Sequence, residues 1–145
     1  MNDPRAEARR WFQQAQADMA VVRTLRSAGH HAAACFHSQQ AAEKALKAVL
    51  FACGARIVLG HSVQELVRQC ETHDEAFTSL TEEAARLDQF YISTRYPNGL
   101  PAPAIPSETF TDAQTQTAQD AAEHIILVVD TYFRTRTDVL VRLQG

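Results

Sequence analysis

Apolar residues recur every three to four positions along successive segments of this chain, and no segment alternates apolar with polar residues as a half-buried strand does. This period lets each segment bury one face only if it is helical, because a strand would scatter the same residues over both of its faces. The fold class predicted is therefore all-α. The first stripe consists of Trp11, Ala15, Met19, Val22 and Leu25.

Residues that start and stop helices mark the boundaries of the first two segments. Asp3 followed by Pro4 is a typical helix start, and "SAGHH" predicts a stop at Gly29. The second segment is predicted from about His31 to Cys53. These two helices are expected to form an antiparallel pair. The apolar face of the second contains Cys35, Ala42, Leu46, Val49 and Leu50.

Three further helices are predicted in the remainder of the chain. The Ser62-x-x-Glu65 spacing of a capping box indicates the start of a short third helix. A fourth must end before Pro97, because a proline pushes the preceding residue out of helical geometry. Thr111 and Gln114 are placed to cap the last helix. The stripe of the fourth is Phe77, Leu80, Ala84, Leu87 and Tyr91, and that of the last is Ala118, Ala121, Ala122, Ile125, Val128, Val129, Tyr132 and Phe133.

Length and charge restrict the kind of protein. A chain of 145 residues is predicted to form one domain over residues 1–145. Its net charge of -3 argues against a broad electrostatic surface for nucleic acid or an anionic membrane, so any phosphate binding must be local. With no secretory signal and no apolar run long enough to span a bilayer, a cytoplasmic location is expected.

No metal or cofactor motif is apparent. The three cysteines form no C-x-x-C pair, and in the cytoplasm they are expected to stay reduced and to pack as small hydrophobic residues. Four histidines, His30, His31, His73 and His124, lack the spacing to Cys, Asp or Glu that is typical of a metal site. A glycine-rich phosphate loop is also missing from the sequence. We therefore predict neither a metal nor a cofactor.

Several polar residues fall on predicted apolar helix faces. On the second helix Gln39 and Glu43 lie within the apolar arc, while Asp18 and Asp88 occupy equivalent positions on the first and fourth helices. Each buried carboxylate needs a donor, since leaving it unpaired costs several kcal/mol. These residues, with Tyr91, are predicted to form a supporting polar network. A polar rim beside them contains His37, Gln40, Lys44 and Lys47.

Arg95 is the predicted centre of this network. It follows Asp88 by two helical turns, so both side chains are expected on one face, and its guanidinium could pair with a carboxylate while also binding a phosphate. Tyr91 and Tyr96 are either core aromatics or a surface on which a base stacks. His61, at a predicted helix start, is either a loop histidine or an anion-facing group beside free amides.

Three blocks of sequence carry a family resemblance. "CFHSQQAAEKALKAVL" (35–50), "GHSVQELV" (60–67) and "RLDQFYISTRYPNGLP" (86–101), preceded by a helix with Trp11 and Asp18, resemble the HEPN domain of higher eukaryote and prokaryote nucleotide-binding proteins. The resemblance implies an up-and-down bundle of four longer helices plus a short helix. It further implies a homodimer that is frequently encoded beside a minimal nucleotidyltransferase.

The resemblance implies two different activities. Some family members are metal-independent ribonuclease toxins with an Arg-x(4 to 6)-His motif, and others bind nucleotides or act as partner subunits. This chain departs from the motif, because Arg95 is followed by no histidine until His124. Arg26 and His31, like Arg56 and His61, do have the spacing, but they lie at other helix junctions.

These observations lead to three hypotheses of function. The first is a nucleotide- or RNA-binding domain that works with a nucleotidyltransferase partner, with membership of a toxin and antitoxin pair as one option. The second is a ribonuclease toxin in which folding brings Arg95 to His61 or His37. The third is a structural adaptor that dimerises through apolar faces, such as that around Ile126 and Leu127. For the first, the predicted binding residues are Arg95, Tyr96, Lys44, Lys47, Gln40 and His37.

Overall fold

A computed structural model describes residues 3–136 of the chain. Three long helices dominate it: α1 (Pro4–Ser27), α2 (His31–Ala52) and α7 (Asp112–Thr135). Shorter helices lie between the last two, namely α3 (Val63–Glu71), α4 (Thr81–Asp88), α5 (Phe90–Ser93) and α6 (Pro106–Thr109), with 3₁₀ turns at Glu75–Leu80 and Pro97–Gly99. The described residues contain no strand, and the all-α prediction is confirmed.

Contacts between the long helices give the up-and-down arrangement. Trp11, early in α1, stacks on Phe51 at the end of α2 with ring centroids 5.4 Å apart. The two helices are therefore antiparallel, as predicted. Arg26 at the end of α1 binds Asp112 at the start of α7, while Phe12 meets Phe133 near the other end. Helix α7 consequently runs antiparallel to α1 and parallel to α2.

Local sequence signals account for the helix boundaries. Asp3 accepts a hydrogen bond from the Arg5 amide as the cap of α1, and Thr111 and Gln114 form the predicted capping box of α7. Helices α1 and α2 are each followed by a glycine in the left-handed region, Gly29 at φ 81° and Gly54 at φ 103°. Such residues reverse the chain at low cost because they carry no Cβ.

The predicted fourth helix is divided in the structure. The 3₁₀ turn Glu75–Leu80 leads into α4, and a break at Gln89 separates α4 from α5. At the end of α5, the hydroxyls of Ser93 and Thr94 donate to the carbonyls of Gln89 and Phe90, respectively. Hydroxyl side chains that bond to the preceding turn compete with regular helical hydrogen bonding, which favours a short, irregular helix end before Pro97.

The core lies between α1, α2 and α7, with α3 and α4 closing the other side of α2. Alanines of α2 allow close packing, and the apolar stripes predicted for the other helices contribute the larger side chains. Every buried side-chain nitrogen or oxygen within residues 3–136 has a hydrogen-bond partner. No helix in this range is both long and apolar enough to cross a bilayer.

Candidate functional site

Arg95 lies just after α5 with its guanidinium among three aromatic rings. The guanidinium carbon is 4.5 Å from the ring centroids of Phe36 and Tyr91 and 5.0 Å from that of Tyr96. Its Nε donates to the Tyr91 carbonyl at 2.8 Å. The negative faces of the rings attract the cation, and the backbone bond fixes its orientation. We call this group, Phe36, Tyr91, Arg95 and Tyr96, the arginine cluster.

The arginine cluster contains no carboxylate. No Asp or Glu oxygen among residues 3–136 forms an ion pair with Arg95, and its Nε makes the only hydrogen bond from the guanidinium within that range. The predicted pairing of Arg95 with Glu43 and Asp88 is wrong, because both carboxylates have other donors. The terminal amino groups of Arg95 are consequently available to an anion.

Asp88 instead caps helix α3. Its Oδ2 accepts from the Ser62 hydroxyl at 2.9 Å and the Gln64 amide at 3.1 Å, and its Oδ1 accepts from the Val63 amide at 2.6 Å. The Ser62 hydroxyl in turn accepts from the Glu65 amide, which is one of the two hydrogen bonds of the predicted capping box. The first amides of α3 are satisfied internally, so the hypothesis that His61 faces an anion beside free amides is wrong.

Glu43 lies at the centre of a buried network on α2. Its Oε2 is 3.2 Å from Lys47 Nζ and its Oε1 is 3.2 Å from His61 Nδ1, with side-chain exposures of 5% for Glu43 and 7% for Lys47. Gln39 donates to the His61 carbonyl at 2.8 Å and reaches Glu43 Oε1 at 3.5 Å. The buried charge is thereby paired, and the loop before α3 is attached to α2.

Asp18 is paired separately, on the α1 side of α2. Its Oδ2 accepts from Lys44 Nζ at 2.6 Å and its Oδ1 from Gln14 Nε2 at 2.9 Å. Two of the predicted phosphate ligands, Lys44 and Lys47, thus already neutralise carboxylates of the same chain. Lys47 also lies 5.5 Å from the Trp11 ring centroid. The need for donors to the buried acids was predicted correctly, but Arg95 is not one of them. Lysines pair with Asp18 and Glu43, and Asp88 accepts from Ser62 and two backbone amides.

His61 connects the buried network with the arginine cluster. Its imidazole stacks on the Tyr91 ring, with centroids 4.9 Å apart and an interplanar angle of 18°. Because a carboxylate only accepts, the hydrogen between His61 Nδ1 and Glu43 belongs to the histidine, and Nε2 is left free to accept or transfer a proton. The His61 side chain is 58% exposed, so this nitrogen is accessible to a ligand.

A cavity of about 530 Å³ opens beside Arg95, between the start of α2 and residues 97–106, which we call the proline-containing segment. One wall is apolar and includes Ala33, Phe36 and Ile105, while Arg95 and Ser107 contribute polar groups. The other lining residues are Gly29, His30, His31, Ala32, Thr94, Pro97 and Pro106. Prolines at both ends of this segment limit its conformational freedom, which helps keep the wall of the cavity in place.

The structure brings some of the predicted site residues together and separates others. Tyr91, Arg95 and Tyr96 are in contact, and His61 joins them through Tyr91. His37 is next to the cluster, with its ring 5.4 Å from that of Phe36, and Gln40 donates to Gln39. Lys44 lines a different cavity, with Trp11 and Gln14.

Sequence reasoning missed the residues at the start of α2. Phe36, whose ring lies 4.5 Å from the guanidinium carbon, is not among the predicted site residues, and neither are His30 and His31. The available signal was the His-His pair directly after Gly29, where the chain reverses. The sequence alone does not show that this pair lines the same cavity as Arg95, because the residues are far apart in the chain and only tertiary packing brings the start of α2 to the end of α5. No group of three potential metal ligands occurs in the described part of the chain.

Comparison with known proteins identifies the fold family. The family model described as HEPN domain matches residues 8–132. The chain belongs to the HEPN family. The crystal structure of TT1696 from Thermus thermophilus superposes with a TM-score of 0.81 at 34% identity, covering 86% of this chain and 97% of that one. The resemblance inferred from the three sequence blocks is thereby confirmed.

Two curated relatives of this HEPN chain differ greatly in length. Human sacsin is 25% identical over 133 residues, covering 90% of this chain but only 3% of sacsin. A Methanocaldococcus jannaschii protein named "Putative toxin MJ1304" is 24% identical over 136 residues, covering 89% of this chain and 90% of that protein. The relationship to sacsin therefore concerns one small part of a very large protein.

Proposed function

We propose that this HEPN domain binds a nucleotide or RNA at Arg95 and acts in the cytoplasm together with a minimal nucleotidyltransferase, as half of a toxin and antitoxin pair. The observation that carries the proposal is the guanidinium of the arginine cluster, which lies over aromatic rings with no carboxylate partner among the described residues. An arginine held in this way offers two amino groups to a phosphate. The similarity to MJ1304 supports the toxin context.

Tyr96 is the predicted stacking residue. The residue is 51% exposed although its ring centroid is only 5.0 Å from the guanidinium carbon, so the outer face of the ring is accessible to a base. His37 and Gln40, half-buried near Phe36, remain predicted ligand contacts. Lys44 and Lys47 also remain predicted contacts, but each would have to share its charge with Asp18 or Glu43.

Calorimetry with purified protein tests the proposal. Wild-type chain is titrated with adenine and guanine nucleotides and with a short single-stranded RNA, and Arg95→Ala is titrated in parallel. We expect binding by the wild type and a loss of at least about tenfold in affinity for the variant, at unchanged helical content by circular dichroism. If Arg95→Ala unfolds and the wild type binds none of these ligands, Arg95 has a structural role instead.

The nucleotidyltransferase partner is tested separately. If the gene beside the one for this chain encodes a minimal nucleotidyltransferase, the two proteins are coexpressed and a tag on one is used to purify both. We expect a complex that survives gel filtration and that neutralises any growth defect caused by this chain alone. Failure of the two proteins to associate would remove the partner from the proposal while leaving nucleotide binding unaffected.

A metal-independent ribonuclease is the second candidate, and the Glu43 and His61 pair favours it. A carboxylate that orients a histidine leaves Nε2 free to take a proton from a 2'-hydroxyl, while a nearby arginine stabilises the phosphorane. Incubation of the protein with labelled RNA in chelator is the test. We expect cleavage to disappear in both His61→Ala and Arg95→Ala and to persist in His37→Ala. An intact wild-type substrate, with a positive control degraded, would exclude this activity.

A dimerising adaptor is the third candidate, and one observation supports it. Leu127 on α7 is 60% exposed, although most alanines on the α2 side are buried in the core. Leu127→Asp should weaken a homodimer that uses this surface without altering the core, because the side chain lies mostly in solvent. Light scattering coupled to gel filtration measures the mass of both proteins. Equal masses for wild type and variant would show that Leu127 is not in a dimer interface.

A further inference from the structure

The cavity beside Arg95 differs in charge from the surroundings of Lys44 and Lys47, the two lysines of the polar rim that are predicted to bind the ligand. Among the described residues that line it, Arg95, His30 and His31 are the titratable ones, and none is acidic. The Trp11 cavity, by contrast, contains Glu7, and its Lys44 is bound to Asp18. An anion entering beside Arg95 thus meets a permanent positive charge with no competing carboxylate, which is the condition for a strong charge-assisted hydrogen bond.

Donors from several segments reach this cavity. Arg95 contributes two amino groups, and the exposed Ser107 contributes a hydroxyl from α6. The ring of His31 is held by a 3.1 Å contact between Nδ1 and the Thr115 hydroxyl, whose own hydrogen is donated to the Thr111 carbonyl. Nδ1 is therefore the donor in this contact, and Nε2 is left for a ligand, to which it donates in the imidazolium form. These groups suit the several oxygens of a phosphate better than the two oxygens of a simple carboxylate.

The remaining wall suits the apolar part of a small ligand. Ala33 and Phe36 on α2 face the same cavity as Ile105 and Pro97 of the proline-containing segment. The volume of about 530 Å³ is typical of cavities that hold a single small molecule or cofactor. A strand of RNA following the rim would instead extend toward Lys44, which lines a separate cavity two helical turns further along α2.

We infer that the ligand of this domain is a mononucleotide whose phosphate binds Arg95, His31 and Ser107 and whose base and sugar lie against the wall formed by Ala33, Phe36 and Ile105. This inference rests on the proposed function and narrows it, because it selects a single nucleotide over an RNA strand running along the lysines of α2. It also removes Lys44 and Lys47 from the ligand contacts, and it places the base in the cavity rather than on the outer face of Tyr96.

Filling the cavity tests the inference without removing any charge. Ala33 is half-buried in the cavity wall, so Ala33→Phe should occupy the space of the ligand. Ser107→Trp blocks the cavity from an exposed position and serves if Ala33→Phe fails to fold. Ala20→Phe, on the exposed side of α1, is the matched control for the added ring. Thermal melting establishes that each variant is folded.

Calorimetry of these variants uses the mono-, di- and triphosphates of adenosine and guanosine and a ten-nucleotide single-stranded RNA. We expect at least one mononucleotide to bind the wild type, to lose about tenfold or more in affinity with a folded cavity-filling variant, and to bind Ala20→Phe with unchanged affinity. Mononucleotide binding that is unaffected by cavity filling would overturn the inference.

The RNA titration separates this inference from the proposed function. If RNA binds the wild type but not Arg95→Ala, is not displaced by any mononucleotide and binds a folded cavity-filling variant with unchanged affinity, then the cavity is not the site although the proposed function stands. If the wild type binds neither RNA nor any of the nucleotides, both are overturned. Displacement of bound RNA by a mononucleotide, abolished when the cavity is filled, would support the inference.

Discussion

The imidazole of His61 lies nearly parallel to the phenol ring of Tyr91, with their centroids 4.9 Å apart. His61 belongs to the loop before α3 and Tyr91 to α5, so the stack joins two segments that are 30 residues apart in the sequence. On one side His61 is bonded to the buried Glu43, and on the other Tyr91 supports the guanidinium of Arg95. Burial of the Glu43 network thereby helps to position an arginine at the surface.

Replacing Arg95 with lysine is expected to impair ligand binding although the charge is retained. A lysine ammonium cannot cover Phe36 and Tyr91 as a planar guanidinium does, and it offers no fork of paired donors to a phosphate. We predict a loss of about tenfold or more in nucleotide affinity, measured by calorimetry, with the melting temperature little changed. Equal affinities for wild type and Arg95→Lys would indicate that only the positive charge matters.

Removing the Asp88 carboxylate should destabilise the fold. In Asp88→Ala the amides of Val63 and Gln64 lose their acceptor, and we expect the free energy of unfolding to fall by about 1 to 3 kcal/mol in urea titrations. Asp88→Asn retains one side-chain acceptor and should lose less. A variant as stable as the wild type would mean that water replaces the carboxylate without cost.

Glu43 and Lys47 are expected to show strong coupling in a double-mutant cycle. Replacing Glu43 alone leaves the buried Lys47 without its carboxylate, and replacing Lys47 alone leaves Glu43 with only His61 and Gln39, so each change should cost about 3 to 5 kcal/mol. Glu43→Leu with Lys47→Met removes both charges and should recover much of that loss. Urea unfolding of the four proteins gives the coupling energy. Simple additivity of the single losses would contradict the proposed pairing. Because His61 also bonds to Glu43, full recovery is not expected.

The ion pair between α1 and α7 should give a defined pH dependence. The side-chain hydrogen bond from the Arg26 guanidinium holds the pKa of Asp112 below its usual value. A lowered folded pKa stabilises the fold above the ordinary carboxyl range, and this contribution is lost as the pH falls through the folded pKa. Melting temperatures of wild type and Asp112→Asn should therefore differ most at about pH 7 and converge below about pH 4. A difference that is constant with pH would contradict this assignment.

The cysteines are predicted to differ in reactivity. Burial raises the pKa of the Cys35 and Cys70 thiols, and both side chains are inaccessible in the folded chain, whereas Cys53 is half-buried. Alkylation of the native protein followed by mass spectrometry should modify Cys53 first, at pH values from about 7 to about 9. The other two thiols should react only on unfolding in urea. Equal rates for all three under native conditions would indicate that the helices open readily.

The sequence by itself determined the all-α class and most helix boundaries, because these depend on local periodicity, caps and glycines. Asp3, Gly29, Gly54 and the Thr111 capping box each act within a few residues of their own position. Sequence also identified Asp18, Gln39 and Glu43 as polar residues on buried faces, since helical geometry alone gives the face.

Only the tertiary structure decided which donor meets which acid. Helical period places Asp88 and Arg95 on one face, two turns apart, yet Asp88 caps α3 and Arg95 lies over Phe36, because the nearest partners come from other helices. The cavity beside Arg95 is likewise formed by α2, the end of α5 and the segment before α7. Helical periodicity determines the direction in which a side chain leaves its own helix axis. The residue that it meets depends on how the helices pack against one another, and this packing depends on all the side chains of the core.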